Sequence, residues 1–326
     1  MQDEIFARRL KNWKSEGGLT AFNLACVAEA LDTVKRLSDQ NIGGETVEKR
    51  LGEYKSWDPD ILKVDKDVEN GYWKRLEELG TPFTFLSEEV GEVEINPPGR
   101  INPEAKAEKH FVVCDPFDGS YLFKHGIPAF WYSSLALFNA DLKPVCCAVG
   151  DCFPRVIAFA NEEGAFIAEL DGDQLLHRVK LDKKYRESMG RPDVTKMEGA
   201  SIESYVMKPA KFLMPLVDEY RDLLKPFKFI NPNGGPYGFV DVAEGKIDCY
   251  FARQQPFVDV FSGIYIARQA GAVVTDFDGN PVEFVAEEQT VWDVLATTNQ
   301  ALHQQVLSAI ADCRRQKTEN RSLSRA

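Results

Sequence analysis

The chain has 326 residues, 44% of them hydrophobic, with 51 acidic against 39 basic side chains and a net charge of −12. That length can bury a large core, as one two-part unit or two domains, and the acidic balance disfavours nucleic acid or an anionic membrane as the main partner. No apolar run approaches the roughly 20 residues that span a bilayer, and Met1-Gln2-Asp3-Glu4 lacks the basic start and apolar stretch of a signal peptide, so a soluble, cytoplasmic protein is expected.

Residues 20 to 38 carry Phe22, Leu24, Val27, Ala28, Leu31, Val34 and Leu37 at helical spacing, and a second helix is expected over Asp65 to Leu79. Strand-like runs follow at 83 to 87, 111 to 114, 131 to 138, 144 to 150 and 155 to 160. Gly164 to Leu170 and Gln174 to Val179 read as a hairpin turning at Asp171-Gly172-Asp173. Residues 96 to 109, rich in Pro, Glu and Lys, read as a surface loop beside the site. The second half alternates: a strand over Ala200 to Val206, a helix from Pro209 to Leu224, a strand over Phe227 to Ile230, a helix over Gly238 to Glu244, a strand over Cys249 to Phe251 and a helix from Asp259 to Ala270. This change of pattern divides the chain into an antiparallel α+β half (1–184) and a layered α/β half (185–313), with 314–326 as a polar disordered tail.

Seven cysteines, without a regular framework, fit a reducing compartment. Cys114, Cys146, Cys147 and Cys249 lie in apolar segments and are expected as buried thiols, and no partner pair stands at zinc-site spacing from Cys146-Cys147 and Cys152. His110 and His125 flank the key motif and read as structural or solvated side chains.

The richest segment is Phe111-Val112-Val113-Cys114-Asp115-Pro116-Phe117-Asp118-Gly119-Ser120, a hydrophobic strand running into two carboxylates, a glycine and a hydroxyl. Asp115 and Asp118 can turn toward one hard cation, and Gly119 allows close backbone approach, so that its N–H and that of Ser120 can face a phosphate oxygen. Taken alone, Asp-Pro-x-Asp-Gly is equally a plain turn. Two further acidic stations end or interrupt apolar segments: Glu88-Glu89 after Phe83 to Ser87, and Asp259 within Pro256 to Gly263. Three such stations point to one shared cation site. Val273 to Gly279 is similar to the nucleophile loop of haloacid-dehalogenase-type phosphatases, but fewer than fifty residues follow it, so a hairpin turn at Asp278-Gly279-Asn280 is expected.

These motifs, in this order, resemble the inositol monophosphatase and fructose-bisphosphatase superfamily of magnesium-dependent, lithium-sensitive phosphomonoesterases. The resemblance rests on Glu88-Glu89, on Asp115 to Ser120 and on Val258 to Gly263. It is extended by Lys63 to Glu69, by Tyr121 to Ser133, by Val242 to Asp248 and by Gly271 to Asp276, and so runs from about residue 55 to about residue 300. It implies a layered α-β-α-β-α sandwich and a small phosphorylated metabolite as partner, and it allows a homodimer. Two or three magnesium ions are implied, with Glu88, Asp115 and the carbonyl of Phe117 on one, and Asp115, Asp118 and Asp259 on a second. A third, mostly water-bound, falls near Glu88 and Asp65, and Lys55 stands one residue off a family lysine near that ion. Glu89 is implied as the orienter of the attacking water, with Asp65 and Ser120 handling its proton, while Asp118, Gly119, Ser120, Arg253 and Asp259 face the substrate.

Departures bear on specificity. Val258, Phe261 and Ser262 replace the family's tryptophan and small residues around the third aspartate. Ala252 stands where inositol-specific members carry a glutamate, and Asn233-Gly234-Gly235-Pro236-Tyr237 replaces a Gly-Ser-Ala-Ala stretch. A sugar bisphosphate or 3′-phosphoadenosine 5′-phosphate therefore stands as the alternative substrate, with Arg253, Lys208 and Arg268 as candidate basic contacts. A catalytically silent binding protein is the reading outside the class.

Overall fold

A computed structural model describes residues 2–50, 58–95, 110–285 and 291–323. The loop expected over 96–109 and the candidate Lys55 lie outside the described residues. The chain opens with helices α1 (Gln2–Asn12) and α2 (Gly18–Asp39), then strands β1 (Thr46–Lys49) and β2 (Asp60–Leu62), which pair as an antiparallel ribbon. Helix α3 (Lys63–Leu79) leads to β3 (Phe83–Ser87), β4 (Gly91–Ile95), β5 (His110–Asp118) and the short helix α4 (Ser120–Lys124). An antiparallel run follows: β6 (Tyr132–Phe138), β7 (Pro144–Asp151), β8 (Val156–Asn161), β9 (Gly164–Asp171) and β10 (Gln174–Leu181). Then come α5 (Lys183–Ser188), β11 (Ser201–Glu203), a π-helical turn at Pro209–Leu213, α6 (Met214–Leu224), β12 (Phe229–Asn231) and α7 (Gly235–Glu244). The chain continues through β13 (Cys249–Pro256), α8 (Phe257–Gln269), β14 (Val273–Asp276), β15 (Val291–Thr297) and α9 (Gln300–Leu323).

Eight strands form one sheet in the order β10-β9-β8-β7-β6-β5-β3-β4, antiparallel except where β3 and β5 run parallel. A five-stranded sheet has the order β12-β11-β13-β15-β14, with β11 parallel to β12 and β13 and β15 antiparallel to β13 and β14. Strand alternation divides the apolar residues between layers. On β5, Val112 and Cys114 face α2 and α3, whereas Val113 faces α7 and α8. On β13, Tyr250 and Ala252 join that same central layer, while Cys249 and Phe251 face α6 and α9. Three cores thus stack helices, sheet, helices, sheet and helices, which is the expected α-β-α-β-α sandwich. The eight-stranded sheet lies wholly before residue 184 and the five-stranded sheet wholly after it, yet α7 and α8 of the later half fill the space between them. The two halves therefore share a core.

Some expected boundaries shift. Polar residues from 314 onward are not a disordered tail but the last turns of α9 as far as Leu323, where Arg314 pairs with Asp278 at 2.7 Å and Lys317 pairs with Glu219. A tight turn does form after β14, closed by Asp276 Oδ1, which accepts the N–H groups of Asp278 and Asn280. It is not a simple hairpin, because the partner strand β15 begins only at Val291 and Val282 and Phe284 are buried between them. Cys114, Cys146, Cys147 and Cys249 are buried, and all seven cysteines are unbridged.

Candidate active site

The site gathers where β3 and β5 end and α8 begins. Apolar Phe111 to Cys114 commit β5 to the sheet, but its register against β6 shifts between Asp115, opposite Ser134, and Asp118, opposite Tyr132. The bulge re-aims both carboxylates. Pro116 has no N–H to lose there, and its carbonyl accepts from Ser133 Oγ at 2.6 Å, which in turn lies 2.6 Å from the Tyr72 hydroxyl on α3. Phe117 anchors the loop, with its ring edge-on to Phe123 and Trp131. Gly119 follows at φ +112°, where a Cβ would overlap the Phe130 carbonyl, so only glycine allows this turn.

Glu88, Asp115 and Asp259 bring carboxylate oxygens within 4.8 Å of one another, with Asp115 buried and the other two partly buried. Asp259 lies in the first turn of α8, where the helix dipole favours negative charge. The departures around it are accommodated by an aromatic cluster: Phe261 packs on Phe138 (5.1 Å between ring centroids), Phe257 (5.0 Å) and Phe284 (5.6 Å), with Val258 and Ser262 also buried. Asp118 faces the N-terminus of α7, where Gly235 at φ +65° leaves no room for a Cβ beside its carboxylate.

Helix α3 supports the site at two points on one face, Asp65 and Glu69, one turn apart. Asp65 Oδ2 accepts the Leu62 N–H at 2.7 Å, capping α3, and its Oδ1 accepts from Ser120 Oγ at 2.6 Å. Ser120 Oγ also lies 3.1 Å from the Phe117 carbonyl. Burial pushes the Asp65 carboxyl up to about 7, against the lowering effect of its Ser120 and Leu62 hydrogen bonds. Glu69 Oε1 accepts from Ser87 Oγ and from the Val90 N–H (3.0 Å), which fixes the turn that carries Glu88 and Glu89.

A residue without a place in the sequence reading stands on those two glutamates. Arg50, just past β1, directs Nη2 to Glu88 Oε1 at 2.8 Å and to both carboxylate oxygens of Glu89 at 2.7 Å, while Nη1 donates to the Asp58 carbonyl at 2.7 Å. Burial favours loss of its charge, but the nearby Glu88 and Glu89 more than offset this and its pKa is raised.

These groups open into a cavity of about 880 Å³. Glu88, the Phe117 to Tyr121 turn, Asp259, Tyr205, Lys208, Lys211, Phe212 and Asn233 to Gly235 line it. Asn233 Nδ2 donates to the Tyr132 hydroxyl at 3.2 Å. Of the candidate basic contacts, Lys208 lines the cavity and pairs with Asp58, whereas Arg253 turns to Glu219 (3.3 Å) and neither it nor Arg268 lines the cavity. Lys211, on the π-helical turn, also lines the cavity, and a single lysine carries no signal of its own in the sequence. Ala252 is buried in β13 and offers no polar group. His125 stacks on Tyr121 with ring centroids 4.2 Å apart, at the cavity wall.

A clustered carboxylate site in this sandwich defines a metal-dependent phosphoric monoester hydrolase. Residues 19–315 match the model of the inositol monophosphatase family, and the chain belongs to that family. It is 28% identical over 291 residues to a fructose-1,6-bisphosphatase/inositol-1-monophosphatase of Thermococcus kodakarensis, covering 87% of this chain and 96% of that one. It is 25% identical to an inositol-1-monophosphatase of Mycobacterium leprae, over 66% of this chain and 67% of that one. In structure it is similar to the extragenic suppressor protein suhB of Bartonella henselae, with a TM-score of 0.68 and 19% identity, covering 90% of this chain and 98% of that one. No helix among the described residues is long and apolar enough to cross a membrane.

Proposed function

We propose that the chain is a magnesium-dependent phosphatase that hydrolyses a small phosphate monoester of the inositol- or sugar-phosphate type. The observation that carries this reading is the convergence of Glu88, Asp115 and Asp259 at the wall of the large cavity. An all-carboxylate donor set suits a hard divalent cation, and the cationic Arg50 on Glu88 and Glu89 marks how strongly this corner attracts positive charge. Glu88, Asp115 and the Phe117 carbonyl would hold one ion, Asp115, Asp118 and Asp259 a second, and Glu88 with Asp65 a third through water. When bound, magnesium supplies Lewis-acid activation of water and neutralises phosphate charge.

The chain's own groups supply positioning and proton transfer. Gly119 and Ser120 turn backbone N–H groups toward phosphate. Glu89 orients the attacking water. A proton from that water passes to Ser120 Oγ as the Ser120 hydroxyl proton moves to Asp65 Oδ1, along the 2.6 Å bond already formed. Burial raises the Asp65 carboxyl above the ordinary carboxylate range, which favours its accepting that proton. The same proposal includes inhibition by lithium, a homodimer and a cytoplasmic setting, which the unbridged cysteines suit.

A bisphosphate, whether fructose 1,6-bisphosphate or 3′-phosphoadenosine 5′-phosphate, is the second reading. Lys208 and Lys211, which line the same cavity as the carboxylates, favour it, as does the apolar Ala252. Arg253 pairs with Glu219 and lies outside the cavity lining, so it lends this reading no support. Phosphate release from inositol monophosphates and these two bisphosphates, with magnesium and with added lithium, tests both readings. Release that requires magnesium and is lost in Asp115→Asn is the expected result; no release from any of them defeats the substrate assignment.

A further inference from the structure

Strand β13 carries one residue more than its partner β15. Ala252 pairs with Val294 and Gln255 with Trp292, so three steps along β13 match two along β15. The extra residue is accommodated at Gln254, which takes φ +50° in the left-handed region and gives its N–H to Asp293 Oδ1 at 2.8 Å. A slip of one residue exchanges the faces of a strand. Before the bulge, Phe251 packs on Tyr220 of α6 and Arg253 pairs with Glu219 of the same helix, and strict alternation would send Gln255 that way too. The bulge turns it to the face of Ala252 instead, since its partner Trp292 shares a face with Val294 and packs against the central core.

Gln255 thereby lines the cavity with Pro256 and Asp259, although only 4% of it is exposed. Its Nε2 donates to the Arg253 carbonyl at 3.0 Å, which fixes the orientation of the amide, because a carbonyl accepts from Nε2 and not from Oε1. The second Nε2 hydrogen and Oε1 have no partner among the described residues. Ala252 offers no polar group, so this amide is the polar contribution of β13 to the cavity.

We propose that Gln255 reads a free hydroxyl on the alcohol part of the substrate, which is then a phosphate ester of a polyol. The inference rests on the phosphatase reading above and names a residue that selects among its substrates. An alcohol hydroxyl donates to Oε1 and accepts from Nε2, matching both open positions of the amide. A phosphate dianion only accepts, and a buried Oε1 beside it would be left unpaired. Gln255 stands four residues before Asp259 and both line the cavity, so the hydroxyl it reads lies on the part of the alcohol nearest the ester. Asp293, by holding the bulge through the Gln254 N–H, is a positioning residue for that contact.

The test compares kcat/KM, with magnesium, for myo-inositol 1-phosphate and fructose 1,6-bisphosphate against p-nitrophenyl phosphate, whose alcohol carries no further hydroxyl. Gln255→Met keeps the bulk and removes the amide. It should lower kcat/KM for the preferred polyol ester by about tenfold, the scale of one lost hydrogen bond to a neutral group, and for p-nitrophenyl phosphate by less than about twofold. Asp293→Ala leaves the amide in place but frees the bulge, and should shift the same ratio in the same direction by about threefold; it decides the matter should Gln255→Met not fold. Circular dichroism checks both variants. An equal change on all three esters, or none, overturns the hydroxyl contact and leaves the phosphatase reading intact, as does a wild type that cleaves p-nitrophenyl phosphate alone. A wild type that cleaves none of the three defeats the phosphatase reading and this inference with it.

Discussion

Helix α7 touches two groups of carboxylates, and they are neutralised differently. At its N-terminus Gly235 lies against Asp118, beside the open cavity where Glu88, Asp115 and Asp259 converge and where Arg50 supplies one positive charge. Further along, Asp241 and Glu244 look toward Glu203 and Asp151 in a sealed layer, with Lys246 reaching Glu244 at 2.7 Å and Asp241 at 3.8 Å. Burial, then the charge of Asp241, raises Glu203 well above the carboxylate range; burial pushes Asp241 up to about 7 and Asp151 to about 6. In the sealed group burial favours the protonated carboxyls, with Lys246 as the partner of Glu244 and Asp241. The contrast is one of access: only the open group offers oxygens converging on a point that an ion can reach, and among the described residues it is the one cluster with metal-binding geometry.

The comparison breaks most sharply at Asp115. Asp115→Asn should lower phosphate release by roughly 10³-fold or more, since it removes the carboxylate assigned to both ions, while the protein stays folded by circular dichroism. Retained activity would mean that the open group works without a bridging ligand. Gly235→Ala comes next. The new Cβ must push aside the Asp118 carboxylate, and φ +65° costs an L-residue about 1–2 kcal/mol. A loss of roughly 10²-fold in kcat/KM is expected, the scale of a misplacement of about 1 Å in a catalytic group, with a melting temperature lowered by a few degrees. Unchanged kinetics would show that Asp118 tolerates displacement.

The open group was legible in the sequence because its members end or interrupt apolar segments. Asp115 and Asp118 follow an apolar run and precede glycine, and Asp259 is isolated among Phe257, Val258, Val260 and Phe261. The sealed group was not. Glu203 and Asp241 occur at positions that read equally as solvated, and only the stacking of α7 between two sheets buries them. Arg50 escaped notice for a similar reason, as its partners lie 38 and 39 residues away and nothing in its own neighbourhood announces them. The change of pattern gave an antiparallel half followed by an alternating half, while the five-layer sandwich came from the family resemblance; the last turns of α9 were hidden because pairing with Asp278 and Glu219, rather than an apolar stripe, ties them down. Glu69 lay in a segment noted for its resemblance, but its hold on Ser87 and Val90 needed the packing of α3 against β3.

Ser120 sharpens the open side of the comparison. Ser120→Ala removes the donor to Asp65 and breaks the route by which the water proton leaves, so kcat should fall by roughly 10²-fold. KM and Mn²⁺ affinity should change little. A rise in KM with kcat preserved would assign Ser120 to substrate binding alone.

The smallest effect is expected on the sealed side, as a change in how stability responds to pH. A carboxyl whose folded pKa is raised from 3.8 to about 7 binds a proton in the folded state that the unfolded chain has already released, so its contribution to stability is full below about pH 4 and is lost as pH rises toward 7. Metal-free wild type should accordingly melt higher at pH 5 than at pH 8 from this group. Asp241→Asn carries no charge at either pH and should flatten that difference by about one or two degrees. Asp65 contributes with the same sign, and His303, which burial lowers to about 4, with the opposite sign; both act equally in the two proteins, whereas Glu203, raised in part by the charge of Asp241, is raised less in the variant and adds to the flattening. Equal slopes in wild type and Asp241→Asn would mean that Asp241 is already ionised at pH 5, with Lys246 rather than a proton compensating its charge.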